Sequence, residues 1–269
     1  MVCLNRGQLF TIDVLVSTYG DRLNSFLNLM PHKVDGVRYL IGHQEHQQSI
    51  ISADMIQRDD VVYYSLDSIG VTKSRNYLLK KSDADIVYFC DDDISLVSDF
   101  YMILRKSHND NAASVITFPI ATESGEMRKK FPDNNTYRSR FSILSVGTIE
   151  ISLKGDAVLL SEFPEDMGAG ALFPIGDEAV FLSGFLDSAC KIYFVNKVIC
   201  SHPEESSGSQ LTVSSAYSRG LTLQRVFHGG SYFLVLPFFL LRRKLFYING
   251  SYMKGLKALL SGMFERGIV

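Results

Sequence analysis

Between residues 12 and 118 the chain alternates short apolar runs with segments of helical periodicity, and this alternation restricts the fold more than any other feature. Ile12 to Ser17 reads as a strand interrupted only by Asp13, Val37 to Ile41 as a second, Val61 to Tyr64 as a third and Ile86 to Cys90 as a fourth. Ala113 to Phe118 is a further strand. Between them, Asp21 to Met30 places Leu23, Phe26, Leu27 and Met30 on one helical face. Thr72 to Lys80 is a second helix, and Ser98 to Lys106 is a third with Ser98 as its expected N-cap. Strands that alternate with helices predict an α/β fold, a mostly parallel sheet covered on both faces. In such sheets ligands bind beyond the carboxyl ends of the strands. Ser17-Thr18-Tyr19, Ser65 and Asp91-Asp92-Asp93 all fall at those ends.

Folding gains nothing from three adjacent carboxylates at the mouth of a sheet, because they repel one another. A divalent cation relieves the repulsion, and a hard ion such as Mn²⁺ or Mg²⁺ prefers carboxylate oxygen. The run therefore reads as a metal site that holds phosphates. Asp91-x-Asp93-x-Ser95 also resembles the nucleophile motif of the haloacid-dehalogenase phosphatases. In that phosphohydrolase reading Asp91 is the nucleophile and Asp93 the acid. Gly70-Val71-Thr72-Lys73-Ser74-Arg75-Asn76 brings backbone amides, a planar cation and an amide to a helix start, which suits an anion or the carboxylates of a neighbouring loop. Gly176-Asp177-Glu178 opens a helix after a Gly- and Pro-rich stretch. Acids in a first turn are expected from the helix dipole alone, and a general base at the rim of a site is the functional alternative. Ser201-His202-Pro203 follows a strand, where the imidazole could complete a metal shell or bond a phosphate. His43-Gln44-Glu45-His46 reads as loop, with nothing nearby to complete a zinc site.

Beyond residue 118 the pattern loosens. Glu123 to Tyr137 reads as a polar loop and Phe141 to Leu153 as a strand. Asp177 to Cys190 reads as a helix with Val180, Phe181, Gly184 and Leu186 near its buried side, and Lys191 to Cys200 as a strand. From Leu211 the chain reads as amphipathic helices. Formal net charge is −2, so no bulk field favours nucleic acid. Four cysteines without a CxxC pair suit a reduced, cytoplasmic protein whose thiols pack as small hydrophobes. Met1 to Leu9 has no signal-peptide pattern. Tyr232 to Leu241 is the nearest approach to a membrane span, but it is too short and contains Pro237. Its aromatics and leucines stand beside Arg242-Arg243-Lys244, with Lys254 and Lys257 beyond, a mixture that suits a helix lying in a lipid headgroup layer. Packing on the core or against a second subunit is the alternative, and the sequence leaves the oligomeric state open.

Taken in order, Ser17-Thr18-Tyr19, Gly70-x-x-x-Ser74-Arg75-Asn76, Asp91-Asp92-Asp93, Gly168-x-Gly170, Gly176-Asp177-Glu178 and His202-Pro203 resemble the family 2 glycosyltransferases. These are inverting enzymes with the Rossmann-like A-type nucleotide-sugar fold, and the likeness is greatest to bacterial transferases that build surface polysaccharides. The resemblance implies a nucleotide-sugar-binding half over residues 1–118, an acceptor-binding half of the same domain over 119–210, and C-terminal amphipathic helices over 211–269. It implies a nucleotide-sugar donor, a UDP-sugar first among them, a saccharide or lipid-linked acceptor, and Mn²⁺ or Mg²⁺ as cofactor. Ser17, Thr18 and Tyr19 would line the nucleotide pocket, with Arg75, Asp91 and Asp92 beside them. Asp91 and Asp93 would hold the metal, assisted by His202. Glu178 would be the base, with Asp177 in reserve, and Asp92 would tolerate change best of the three aspartates. The chain departs from the family in two places. Ile41-Gly42-His43-Gln44 stands where many members carry an Asp-rich turn that reads the base, and the second acid is Glu rather than the commoner Asp. A non-catalytic, membrane-associated carbohydrate-binding module is the rival that needs no metal cluster.

Overall fold

A computed structural model describes residues 10–48, 58–203 and 211–265. Cys3 and the Met1 to Leu9 segment lie outside them. The chain begins β1 (Ile12–Tyr19), α1 (Arg22–Leu29), β2 (Val37–Gln44), β3 (Val61–Leu66), α2 (Val71–Lys81) and β4 (Ile86–Asp91). There follow β5 (Ser95–Leu96), α3 (Phe100–Asp110), β6 (Val115–Thr117), β7 (Ile120–Thr122), β8 (Thr136–Tyr137) and β9 (Ile151–Lys154). The remainder comprises α4 (Asp177–Asp187), β10 (Ile192–Phe194), β11 (Cys200–His202), α5 (Val213–Phe227), α6 (Ser231–Leu241) and α7 (Tyr252–Met263).

Eight strands form one sheet in the order β3-β2-β1-β4-β9-β6-β10-β8. The β3-β2-β1-β4 half is parallel, whereas β9 runs antiparallel between β4 and β6. β5, β11 and β7 make a small second sheet. β1 and β4 are buried along nearly their whole length, as strands covered on both faces must be. Asp13 survives inside β1 because Arg38 binds both its oxygens, at 2.8 and 2.9 Å, and Ser82 donates to it at 2.7 Å. Ile12, Val14 and Val16 point into one apolar layer with Phe26, Tyr39 and Tyr88. Leu15, Val87 and Phe89 point into the other with Leu78, Phe163 and Phe181.

The second half differs from its sequence reading. Phe141 to Leu153 is not one strand: Ser142–Ser145 and Thr148–Glu150 are single 3₁₀ turns, and only Ile151–Lys154 joins the sheet. The loose apolar alternation there reflects side chains tucked inward from turns. Lys191 to Cys200 divides into β10 and the start of β11, which belong to different sheets. Asp99, not Ser98, occupies the N-cap of α3, with no side-chain cap bond. α4 buries Ala179, Phe181, Leu182 and Phe185, while Val180, Gly184 and Leu186 sit at its margin. The polar stretch from Glu123 ends in β8 at Thr136–Tyr137. Cys90 and Cys200 are buried free thiols, and Cys190 is a partly buried one, as expected of thiols used for packing.

The C-terminal helices pack around their own apolar cluster, which includes Ala216, Leu223, Phe246 and Leu259. α5 and α7 approach to backbone contact, since a Cβ at Gly220 would lie 1.9 Å from the Leu259 carbonyl oxygen. α5 also meets the start of α4. Gly176, the N-cap of α4, has φ 101°, and a Cβ on it would lie 1.9 Å from Thr222 Oγ1. Only glycine satisfies both demands. Among the described residues no helix is long and apolar enough to cross a membrane.

Candidate active site

The strand order reverses direction between β1 and β4, the place where an open α/β sheet leaves a crevice at its carboxyl edge. Ser17 and Asp91 are direct neighbours across that junction. α2 starts beside it, and Ser74 Oγ donates to Ser17 Oγ at 2.9 Å. The first turns of α2 also hold the incoming 163–170 segment. Asn76 bonds the Phe163 backbone in both directions, at 2.9 and 2.8 Å, and Thr72 donates to the Met167 carbonyl at 3.0 Å. Phe163 stacks on Phe181 with centroids 3.9 Å apart and meets Phe89 edge-on at 5.3 Å. Such pairs contribute about 0.5–1.5 kcal/mol each beyond their area. This aromatic set ties the segment to β4 and α4, and so brings Asp177 and Glu178 to the crevice.

Two charged groups result. In the first, Arg75 lies almost fully buried between two acids, with Nη2 3.1 Å from Asp91 Oδ1 and Nη1 3.1 Å from Asp177 Oδ2. Its guanidinium stands 5.5 Å from the centre of the Phe163 ring. Burial opposes the charge on Arg75, but the carboxylates of Asp91, Asp177 and Glu178 outweigh it and raise its pKa. Asp177 is pushed well above the carboxylate range by burial and then by the Glu178 carboxylate, with Arg75 working the other way. Glu178 is only half-buried, and its Oε1 accepts from Thr148 Oγ1 at 3.0 Å. Of the two acids, Glu178 is therefore the more accessible and Asp177 the one locked into the interior.

The second group gathers at the other aspartates. Thr18 Oγ1 donates to Asp92 Oδ2 at 2.7 Å, and Arg22 pairs with Asp92 Oδ1. Asp92 is buried, and burial raises its pKa despite these two partners. Asp92 is the most enclosed of the three, which weighs against the expectation that it would tolerate change best. The same Arg22 nitrogen reaches Asp93 Oδ2 at 3.1 Å. Asp93 Oδ1 is buried without a hydrogen-bond donor, and His202 Nε2 lies 3.4 Å from it. His202 Nδ1 is 2.6 Å from the Pro203 carbonyl, which can only accept, so Nδ1 carries the proton. In the neutral ring Nε2 then presents a lone pair to a carboxylate oxygen. Two such acceptors facing each other suit an intervening cation, whereas a protonated ring would itself be the partner of Asp93. A backbone carbonyl on the second ring nitrogen is the usual arrangement behind a metal-bound histidine.

The proposed ligands are not all brought together. Asp91 turns to Arg75, whereas Asp93 and His202 face each other, and among the described residues no three His, Cys, Asp or Glu side chains form a complete metal-holding cluster. Two protein ligands still fit Mg²⁺- or Mn²⁺-type chemistry, in which phosphate oxygens and water supply the rest. Tyr19 is half-exposed at the end of β1 and belongs to neither group. His43 is not in a loop: it is a buried β2 residue, held by Tyr63 Oη at 2.9 Å and the Gly20 carbonyl at 2.8 Å. Burial lowers its pKa, which suits a neutral structural ring behind the Gly20 turn. Arg22 and Thr148 escaped the sequence reading. Thr148 carried no signal, but Arg22 did: a cation in a first helical turn opposes the helix dipole and needs an acid nearby.

Solved structures with this architecture include those of Staphylococcus aureus TarS. The TarS 1–349 structure superposes with a TM-score of 0.66 at 13% identity, covering 95% of this chain and 82% of that one. The fold is the A-type glycosyltransferase fold. TarS 1–349 in complex with UDP-GlcNAc gives a TM-score of 0.61 at 14% identity over 94% of this chain and 81% of that one. Its complex with UDP gives 0.53 at 14% identity, over 86% and 75%. No protein-family model and no curated protein matches the sequence.

Proposed function

We propose that this protein is an inverting glycosyltransferase of the hexosyltransferase class. In this reading it moves a sugar from a nucleoside diphosphate to a hydroxyl of a saccharide or lipid-linked saccharide in bacterial surface polysaccharide synthesis. The observation that carries the reading is the convergence at the β1/β4 junction of Ser17, Arg75 and Asp91 with Asp177 and Glu178 from the distant α4. A UDP-sugar is the favoured donor, because the TarS fold is seen with UDP-GlcNAc and with UDP.

Ser17, Thr18 and Tyr19 line the nucleotide side, with Arg75 and Asp91 at its inner wall. Asp93 and His202, with Asp91 within reach of the same phosphates, would hold Mn²⁺ or Mg²⁺, which offsets the charge developing on the leaving diphosphate. Glu178 removes the proton from the acceptor hydroxyl as that oxygen attacks the anomeric carbon from the opposite face. Thr148 fixes one Glu178 oxygen and leaves the other for the acceptor. Asp177, locked to Arg75, is a positioning residue, not the base. The Arg75 ion pair with Asp91 also argues against Asp91 as the nucleophile of a phosphohydrolase.

The acceptor side of the reading rests on α6. Tyr232, Phe233, Leu236, Leu240 and Leu241 are exposed there beside Arg242, Arg243 and Lys244. Phe233, Leu236 and Leu240 share one stripe by their spacing. A peripheral position at the inner face of a membrane would present a lipid-linked acceptor to Glu178. The decisive experiment is a thermal-shift and transfer assay with nucleotide sugars and Mn²⁺. Asp93→Ala should lose the Mn²⁺-dependent donor shift, and Glu178→Gln should keep the shift while turnover falls about 10²-fold or more. Full turnover in Glu178→Gln would overturn the assignment of the base.

A further inference from the structure

Arg22 is a cation supplied by the chain itself to the aspartates that the proposed function gives to a metal. It stands in the first turn of α1, where the helix dipole disfavours it. Its Nη2 pairs with Asp92 Oδ1 and lies 3.1 Å from Asp93 Oδ2. Asp92 has both oxygens engaged, one by Thr18 and one by Arg22, and is buried. Asp93 is different. One of its oxygens faces Arg22, and the other is buried against His202 without a donor. The Arg22 side chain is 58% exposed, so it can leave without breaking a core.

We infer that Arg22 is an exchangeable counterion: it neutralises Asp93 when the site holds no divalent cation, and it competes with that cation for the same carboxylate. The inference rests on the metal reading of Asp93 and His202. Like charges repel across a few ångströms, so a divalent ion at Asp93 pushes the guanidinium away. Arg22 then keeps its contact with Asp92, or turns toward the incoming diphosphate, for which a guanidinium is well shaped. Asp92 is thereby the fixed half of the pair and Asp93 the exchanging half. This accounts for a run of three adjacent acids in which Asp91 pairs with Arg75 while Asp92 and Asp93 share Arg22.

The test is Mn²⁺ binding to the full chain, followed by electron paramagnetic resonance of free Mn²⁺, with thermal unfolding in EDTA and in saturating Mn²⁺. Wild type, Arg22→Ala, Arg22→Lys and Asp93→Asn are compared. Arg22→Ala should bind Mn²⁺ about two- to fivefold tighter, the scale of one partly exposed ion pair. In EDTA its Tm should be lower by about 2–4 °C, and saturating Mn²⁺ should close most of that gap. Arg22→Lys should fall between. A merely structural Arg22 would have the opposite sign, because a loosened site binds the ion more weakly. Equal or weaker Mn²⁺ binding in Arg22→Ala, with binding in wild type that Asp93→Asn removes, overturns the exchange and leaves the metal reading standing. Absence of Mn²⁺ binding in both wild type and Arg22→Ala overturns the two together.

Discussion

The crevice at the β1/β4 junction and the outer face of α6 solve opposite problems. In the crevice nearly every group is charged or polar and has a specific partner. Arg75 serves Asp91 and Asp177, Thr18 and Arg22 serve Asp92, and Thr148 serves Glu178. On α6 the groups are apolar, and only Ser231 and Val235 are buried. Phe233 and Leu241 are each 83% exposed. The comparison teaches where burial is spent. Buried charge demands pairing, and a pairing network rigidifies the site it builds. Exposed apolar side chains cost folding little but leave the surface open to lipid or protein.

The hardest blow to this contrast falls on Arg75. Replacing it with Met leaves Asp91 and Asp177 without their shared cation, one of them in the interior. We expect a loss of about 3–5 kcal/mol in urea unfolding, partly restored by Lys. A loss below about 1 kcal/mol would mean that the two acids are better solvated than their burial implies.

His108 probes the core of the sheet. It is buried on α3, with Nε2 2.7 Å from Ser152 Oγ, and burial lowers its pKa to about 3, with Lys154 adding to the effect. Between the ordinary histidine value of about 6.5 and this lowered value, the unfolded chain takes up a proton that the native chain refuses. Stability is therefore greatest above that window and falls with pH inside it, by up to about 1.4 kcal/mol per unit. His108→Gln should flatten the slope in denaturation measured from pH 7 to pH 4, and an unchanged slope would assign it to other groups.

The smallest effect on stability belongs to α6. Phe233→Ser and Leu241→Ser should change unfolding free energy by no more than about 0.5 kcal/mol. If α6 meets lipid, the double variant should nonetheless lose flotation with vesicles containing anionic lipid. Unchanged flotation, or a concentration-dependent change in molecular mass instead, would assign the face to another occupant.

Much of the crevice could be read from the chain alone, for a local reason. Strand period and apolar runs fix which residues end a strand, so Ser17-Thr18-Tyr19, Ser65 and Asp91-Asp92-Asp93 fall at one edge. The same alternation predicts the mostly parallel sheet, whereas the A-type fold is what the resemblance to family 2 glycosyltransferases implies. What failed was the reading of partners. Nothing along the chain signals that Thr18, 74 residues earlier, encloses Asp92. His43 reads as loop from the chain alone, with nothing nearby to complete a zinc site, though Tyr63 and Gly20 satisfy it inside β2. The turns at Ser142–Ser145 and Thr148–Glu150 imitate a strand because they too carry inward apolar side chains, Ile143 and Ile149.

The sequence by itself determined the sheet, its helices and the edge at which acids and a helix start would meet, since periodicity and adjacent like charges are properties of neighbours along the chain. The tertiary structure alone decided what each acid pairs with. Arg75 finds Asp177 across 102 residues, and Arg22 finds Asp93 across 71. Pairings of that separation depend on how loops close and helices dock, and no local pattern encodes them.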